Sequence, residues 1–227
     1  MTRTDVRQWL ASAGIVPVIR ASSVEKALLA ADALSKGGIS VLEVTLTVPG
    51  AEKAMESLRK TFSDDVLVGA GTVLDVDDAK RCLDAGAQFI VSPGLDTGTI
   101  GFANSKDILV MAGALTPTEV ITAWKNGADL VKVFPCSAVG GASYIKSLKG
   151  PFPQIPLVPT GGVNLKTAAD FIRAGAFALG IGGELVLASA LDDGTPQVIT
   201  ALAKEFLEIV QTARRSAVNA APGEVPK

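Results

Sequence analysis

The sequence predicts a single (β/α)8 barrel, and three observations support that prediction. Short apolar runs rich in β-branched residues recur eight times, starting roughly 20 to 26 residues apart, about the length of one strand–helix unit. Stretches with helical spacing of apolar residues lie between them. Most of the runs are continuously apolar, which is typical of parallel strands covered on both faces. Closing eight such strands into a barrel is the economical arrangement.

The eight predicted strands follow one another along the chain. They are Ile15–Arg20, Val41–Leu46, Leu67–Val73, Phe89–Pro93, Ile108–Ala114, Leu130–Pro135, Pro156–Gly161 and Ala178–Leu185. An open, doubly wound sheet is the alternative arrangement. The Gly-x-Gly-x-x-Gly fingerprint of that fold does not follow the first strand, so the barrel is favoured.

Helices are predicted from apolar spacing and from their start and stop signals. Thr116 and Pro117 open one of them with a capping residue and a proline in the first turn. Glycine follows several others, where it accepts the left-handed conformation that ends a helix. The predicted helices are Thr4–Ala13, Ser23–Lys36, Asp77–Ala85, Pro117–Asn126, Leu165–Ala174 and Gln197–Arg215. We expect the first to cap the barrel bottom, residues 1–215 to form one domain, and 216–227 to be a flexible tail.

Composition narrows the classes of function. Hydrophobic residues make up 48% and charged residues 19% of the 227 residues, so a sizeable core is expected. A net charge of −2 does not indicate a nucleic-acid or anionic membrane partner. No apolar stretch reaches the ~18 residues of a membrane span, and the charged N-terminus is unlike a signal peptide.

The cysteine and histidine counts bear on compartment and cofactors. Cys82 and Cys136 have no spacing typical of a disulfide framework or a metal site, and histidine is absent. We therefore expect reduced thiols, a cytoplasmic location, and no metal or other cofactor.

A lysine and a glutamate interrupt two of the predicted strands. Lys132 lies among Val131, Val133 and Phe134, and Glu43 lies in Val41–Leu46. Burying either charge alone is costly. Because the chain has no histidine, the two are natural candidates for proton transfer and covalent chemistry. A neutral, desolvated lysine can attack a ketone to form a Schiff base. The alternatives are a lysine that reaches solvent and an ion pair kept for fold specificity.

Further candidates fall at the carboxyl ends of the strands, where a parallel barrel places its chemistry. Two diglycines end strands seven and eight, the usual phosphate site of this architecture, although tight turns alone would also explain them. Arg20 could be a surface residue, and threonines are common in strands. The strand-end candidates are Arg20, Thr45, Thr72, Pro93, Phe134, Thr160, Gly161, Gly162, Gly182 and Gly183.

Six short motifs, in this order and spacing, carry a resemblance to a known family. They are VPVIR (Val16–Arg20), LEVTL (Leu42–Leu46), GAGTVL (Gly69–Leu74), FIVSPG (Phe89–Gly94), VKVFP (Val131–Pro135) and PTGG (Pro159–Gly162). From about Val16 to Val186 the chain resembles the class I aldolases that cleave 2-keto-3-deoxy-6-phosphogluconate (KDPG) and 4-hydroxy-2-oxoglutarate (KHG). The resemblance implies a (β/α)8 barrel, a homotrimer, no metal, and small 2-keto acid and aldehyde substrates.

The resemblance also implies a role for each matching residue. Lys132 is similar in position to the Schiff-base lysine and Glu43 to the acid/base glutamate. Thr72 and Pro93 match positions that hold the pyruvyl end. Thr160 matches a residue near the substrate hydroxyl, and the diglycines match the distal, often phosphate-binding, end.

Two positions depart from the best-known members. Thr47 stands where those members carry an arginine that grips the pyruvate carboxylate, and we expect Arg20 to supply the missing cation. Glu184 stands where they carry a serine for phosphate, and a carboxylate there would repel phosphate unless it points away or pairs with a cation.

Three functional hypotheses follow. The first is cleavage of a 2-keto-4-hydroxy acid to pyruvate and an aldehyde through a Lys132 imine, with Glu43 moving protons. Within it, KDPG, KHG and 2-dehydro-3-deoxy-6-phosphogalactonate are open substrates, because phosphogalactonate aldolases also lack the arginine. The second is a phosphosugar isomerase or decarboxylase without a covalent imine. The third is a non-catalytic barrel that binds a sugar acid.

Overall fold

The computed structural model describes the backbone of residues 1–219 and the side chains of residues 1–216. Eight parallel strands form one sheet in which β1 pairs with both β2 and β8. The strands are β1 (Ile15–Ile19), β2 (Val41–Thr45), β3 (Leu67–Gly71), β4 (Phe89–Val91), β5 (Leu109–Ala114), β6 (Leu130–Val133), β7 (Leu157–Pro159) and β8 (Leu179–Ile181). The predicted (β/α)8 barrel with its additional N-terminal helix is confirmed.

The barrel closes between β7 and β8 by a short junction. A parallel bridge joins Thr160 to Gly180, and the Phe177 N–H donates to the Leu157 carbonyl at 2.8 Å. The other neighbouring strands pair over one to five residue positions. Thr160, a predicted site residue, therefore also lies at the seam that closes the barrel.

Helices alternate with the strands around the outside. They are α1 (Arg3–Ala13), α2 (Val24–Lys36), α3 (Ala51–Phe62), α4 (Val76–Asp84), α5 (Thr97–Ser105), α6 (Pro117–Lys125), α7 (Ala142–Lys149), α8 (Ala168–Arg173), α9 (Ala188–Asp192) and α10 (Gln197–Asn219), with a 3-10 helix at Cys136–Val139. Helix α10 continues four residues past Arg215, where the sequence predicted its end. The rest of the predicted tail, 220–227, lies outside the described residues.

Local chemistry explains where individual helices begin. At α6 the Thr116 hydroxyl accepts a hydrogen bond from the Glu119 N–H, and the Glu119 carboxylate accepts one from the Thr116 N–H at 2.7 Å. This reciprocal pairing satisfies two backbone donors that a helix start leaves open. Thr2 and Asp5 form the same pairing at α1. None of the helices between residues 1 and 219 combines the length and apolarity needed to cross a bilayer.

The interior of the barrel is apolar at its bottom and polar at its top. Val6 and Leu10 of α1 pack against inward side chains such as Val41, Leu67 and Leu130. The first helix therefore caps the amino-terminal end of the barrel, as predicted. Every strand residue is buried, as expected for strands covered by helices on one side and by the barrel interior on the other.

The strands begin within one residue of their predicted starts, and all except β5 end one to four residues earlier. The residues beyond these strand ends include Arg20, Thr72, Pro93 and Phe134, all of them predicted site residues. Each follows directly or within two residues of the end of its strand, at the carboxyl-terminal mouth where parallel barrels carry their functional groups.

Candidate active site

Lys132 on β6 and Glu43 on β2 meet inside the barrel. The distance from Lys132 Nζ to Glu43 Oε1 is 3.5 Å, and the two side chains expose only 4% and 2% of their surface. In their strands the residues on either side, Val131 and Val133 or Leu42 and Val44, belong to the core between sheet and helices. Because side chains alternate along a strand, the lysine and the glutamate point into the barrel. The hypothesis that Lys132 reaches solvent is thereby excluded.

Glu43 is incompletely satisfied. Among the described residues its Oε1 has no hydrogen-bond partner, because 3.5 Å is the outer limit for a hydrogen bond to the ammonium. Burial raises the pKa of the Glu43 carboxyl, and the positive charges of Lys132 and Arg20 only partly offset that rise. A buried carboxyl that takes up a proton easily and keeps a free oxygen is suited to general acid–base chemistry.

A glycine on the next strand makes room for this carboxylate. A Cβ on Gly71 would lie 2.1 Å from Glu43 Oε1, so any side chain there would displace the acid. Thr72 follows with φ 59°, a left-handed conformation that is a genuine outlier for a β-branched residue. Strain of this kind persists where the surroundings impose it, often at functional sites. Thr72 directly follows Gly71, the glycine that makes room for Glu43.

The chain after β4 folds back over the mouth beside Lys132. A Cβ on Gly113 would lie 2.3 Å from backbone atoms of Pro93 and Gly94, and Gly113 pairs in register with Lys132. The buried Ser92 hydroxyl donates to the Gly94 carbonyl at 2.9 Å and accepts from the Gly113 N–H at 3.3 Å. Ser92 therefore fixes the loop that carries Pro93.

An open cleft at the barrel mouth, with a volume of about 120 Å³, is lined by most of the strand-end candidates. Phe134 lines it and also holds its ring centroid 5.7 Å from Lys132 Nζ, so the cleft leads to the buried amine. Thr160 stands over Gly180, where a Cβ would lie 2.0 Å from the hydroxyl oxygen. The predicted residues that line the cleft are Arg20, Phe134, Thr160, Gly161, Gly162, Gly182 and Gly183.

The backbone conformation and the close packing of the first diglycine require glycine at both positions. Gly161 and Gly162 have φ values of 90° and 77°, and a Cβ on Gly162 would lie 2.5 Å from the Ser137 Cβ. The Thr167 hydroxyl donates to the Gly162 carbonyl at 2.8 Å and holds the turn. Gly183, in the second diglycine, has open space around it. Both diglycines thus leave backbone exposed in the cleft, which suits an anion or a polar ligand end.

Arg20 lies at the diglycine end of the cleft. The nearest atom to a Cβ built on Gly182 is Arg20 Nη1, at 3.9 Å. The Arg20 side chain is exposed, and among the described residues it has no salt bridge within 4.0 Å. It is therefore a free cation facing the cleft. Its guanidinium lies near Gly182, and its positive charge also acts on the Glu43 carboxyl.

The Thr45 hydroxyl forms hydrogen bonds with other residues of the barrel. It donates to the Ile19 carbonyl at 3.0 Å and lies 2.7 Å from the Thr47 hydroxyl. Because its one proton goes to Ile19, Thr47 is the donor in the second contact. Thr45 was predicted to bind substrate, and in the fold its hydroxyl links β1 to β2. Thr47, at the position of the expected arginine, contributes a hydroxyl directed at Thr45.

Thiol and metal chemistry find little support in the described residues. Burial raises the pKa of Cys136 to about 11 and the pKa of Cys82 to about 12, so neither thiol is a ready nucleophile. Among residues 1–216 no group of three or more histidine, cysteine, aspartate or glutamate side chains is placed to bind a metal ion.

Sequence reasoning missed the residues that shape the site without reacting. Gly71, Gly113 and Gly180 each accommodate a neighbouring group, and Ser92 fixes a loop. An inward glycine in an apolar strand was the available signal. Which group fills the space beside such a glycine depends on the residue that lies opposite it on the neighbouring strand.

The sequence is similar to a family model and to known proteins over most of its length. A family model described as KDPG and KHG aldolase matches residues 6–202. The KHG/KDPG aldolase of Escherichia coli K12 is 36% identical over 207 residues, covering 91% of this chain and 96% of its own. The 2-dehydro-3-deoxy-6-phosphogalactonate aldolase of the same organism is 32% identical over 205 residues, covering 90% of this chain and 100% of its own.

A solved structure shows the same likeness in three dimensions. The crystal structure of KDPG aldolase from Legionella pneumophila, with pyruvate captured as a covalent carbinolamine intermediate, superimposes with a TM-score of 0.82. It is 35% identical and covers 87% of this chain and 96% of that one.

Proposed function

Because this chain belongs to the KDPG and KHG aldolase family and is a lyase, we propose that it is a Schiff-base aldolase. Its substrates on this proposal are 2-dehydro-3-deoxy-phosphogluconate, 4-hydroxy-2-oxoglutarate, or both, and its products are pyruvate with glyceraldehyde 3-phosphate or glyoxylate. The observation that carries the proposal is the buried pair of Lys132 and Glu43, 3.5 Å apart, beside Phe134, which lines an open cleft.

The covalent step begins with a proton transfer inside this pair. Only neutral Lys132 can attack the C2 ketone, and Glu43 is placed to hold the proton that the amine gives up. The raised pKa of the Glu43 carboxyl supports that role. Attack gives a carbinolamine, and Glu43 returns the proton to its hydroxyl, so that water leaves and a cationic imine forms.

Cleavage then uses the imine as an electron sink. Glu43, acting through a water, removes the proton of the C4 hydroxyl. The C3–C4 bond breaks, its electron pair moves into the imine to form an enamine, and the aldehyde departs. Reprotonation at C3 and hydrolysis of the imine release pyruvate and restore Lys132. Each proton transfer needs an acid or a base near Lys132, and Glu43 fills both roles in turn.

We assign substrate binding by position in the mouth. We place the pyruvyl end between Thr72 and the Pro93 loop, because Thr72 follows Gly71, which abuts Glu43, and the loop packs on Gly113, which pairs with Lys132. Phe134 packs beside the amine, and Thr160 contacts the C4 hydroxyl. Backbone N–H groups of the two diglycines and the Arg20 guanidinium bind the distal end.

The C4 configuration stays open between the gluconate and galactonate series. The E. coli relatives of both kinds cover nearly the whole chain, at 36% and 32% identity. A measured comparison of the two phosphorylated substrates decides this point. A non-covalent isomerase and a sugar-acid-binding barrel are both disfavoured by the family to which the chain belongs.

Three further features belong to this proposal. We propose that the enzyme is a homotrimer, that it works in the cytoplasm, and that it serves sugar-acid breakdown of the Entner–Doudoroff type. The family resemblance supports the first and third features. The two buried thiols support a reducing compartment.

Replacing Lys132 tests the proposal. Arginine stays protonated and cannot form an imine, so Lys132→Arg is expected to lower kcat for pyruvate release at least about 1,000-fold. Lys125→Arg, a change at an exposed lysine, is the matched control and should keep wild-type turnover. Wild-type activity in a folded Lys132→Arg protein would exclude Lys132 as the nucleophile.

A further inference from the structure

We propose that Glu184 is a specificity-determining residue that weakens binding of substrates with a phosphate at the distal end. The inference rests on the proposed aldolase function and concerns only its distal subsite. The enzyme then also accepts aldehydes and 2-keto acids that carry an uncharged hydroxyl at the distal end. These compounds compete with the phosphorylated ones for the same site.

Glu184 lies at the distal end of the cleft. It lines the cleft together with both diglycines and Arg20, and it also lines a neighbouring groove with Asn164 and Lys166. The residue is exposed, and among residues 1–216 no lysine or arginine nitrogen lies within 4.0 Å of its carboxylate. Its negative charge is therefore not cancelled by an ion pair with any residue between 1 and 216.

The residues that line the cleft carry one positive and one negative charge. Arg20 and Glu184 are the charged residues among those that line it, and Lys166 lines only the neighbouring groove. A phosphate monoester carries about −1.5 to −2 charges at neutral pH. Arg20 attracts that charge and Glu184 repels it, so the electrostatic gain for a phosphate is smaller than with Arg20 alone.

A distal hydroxyl interacts differently with the same residue. A carboxylate oxygen accepts a hydrogen bond from an O–H group, and such charge-assisted bonds are stronger than neutral ones. Glu184 therefore disfavours a dianion and favours a hydroxyl at the same position. Like-charge contacts are an established means of excluding the wrong ligand.

The test compares two aldehydes in the direction of aldol addition to pyruvate. The measured quantity is the ratio of kcat/KM for D-glyceraldehyde 3-phosphate to kcat/KM for D-glyceraldehyde. Glu184→Gln keeps the size of the side chain and removes its charge, so this ratio should rise about tenfold over wild type. Glu56→Gln, at an exposed carboxylate on α3 on another side of the barrel, should leave the ratio unchanged.

A second measurement and a second variant support the test. Inorganic phosphate should inhibit Glu184→Gln more strongly than it inhibits wild type. If Glu184→Gln does not fold, Glu184→Ser takes its place. Pyruvate and borohydride are applied to every variant. If the adduct forms on Lys132 and the ratio stays within twofold of wild type, the role of Glu184 is refuted while the aldolase proposal stands. If wild type forms no adduct, both proposals fall.

Discussion

At the scale of the residue, the two charges inside the barrel are explained by chemistry better than by stability. A buried ion pair recovers little of the cost of desolvating it, and this one is long, at 3.5 Å, with its Glu43 oxygen making no hydrogen bond to the described residues. A raised pKa in the folded state means that Glu43 binds its proton more tightly folded than unfolded. Its ionisation therefore lowers stability as the pH rises above the unfolded pKa.

The pH dependence of activity tests Glu43. As the required base it must be ionised, so kcat/KM should fall as the pH drops through its folded pKa, which lies above the ordinary range for glutamate. Glu43→Gln should still bind substrate, lower kcat about 100-fold or more, and lose this acidic limb. The pH–rate profile of both proteins is the measurement, with the exposed Glu205→Gln as control. An unchanged profile in Glu43→Gln would assign the base to another group.

A single residue could be predicted to belong to the site only where the sequence around it makes it unusual. Lys132 and Glu43 could be identified because a charge in a continuously apolar run is conspicuous. The role of Thr45 could not, because the acceptor of its hydroxyl is the Ile19 carbonyl, on a strand 26 residues away in the sequence. The position of Arg20 at the diglycine end likewise depends on β1 and β8 being neighbours.

At the scale of the element, the strands supply room for the chemistry as well as the reacting groups. Strands β3, β5 and β8 each carry a glycine at an inward position, and a group from a neighbouring strand or loop fills the space beside it. Strand starts were predictable from apolar runs, whereas strand ends were not. Residues such as Phe134 are apolar enough to continue a strand but turn out of the ladder to line the cleft.

A pair of glycine replacements separates this role from general stability. Gly71→Ala would put a Cβ 2.1 Å from Glu43 Oε1, so the carboxylate must shift and kcat/KM should fall about 10- to 100-fold. Gly101→Ala, in helix α5 with nothing within 4 Å, should keep full activity and raise the free energy of unfolding by about 0.5–1 kcal/mol. Steady-state kinetics and urea unfolding of both variants are the measurements. Full activity in Gly71→Ala would show that the exact position of Glu43 is unimportant.

At the scale of the whole molecule, barrel closure is what assembles the site. Residues from Arg20 to Glu184 surround one mouth because eight parallel strands turn about one axis. The bottom of the same barrel is filled with apolar side chains and capped by α1. The fold class was predictable from repetition and continuous apolarity. The narrow seam at Thr160 and Gly180 was not, because the pairing of β7 with β8 depends on the register that β8 adopts against β1.

The central claim is that Lys132 forms a covalent imine with pyruvate. The most direct measurement is intact-mass spectrometry after incubation with pyruvate and sodium borohydride, followed by peptide mapping. We expect one reduced pyruvyl adduct per chain on Lys132 and none on a folded Lys132→Arg protein. A folded wild-type protein that forms no adduct, or carries it on another lysine, would exclude a Lys132 imine.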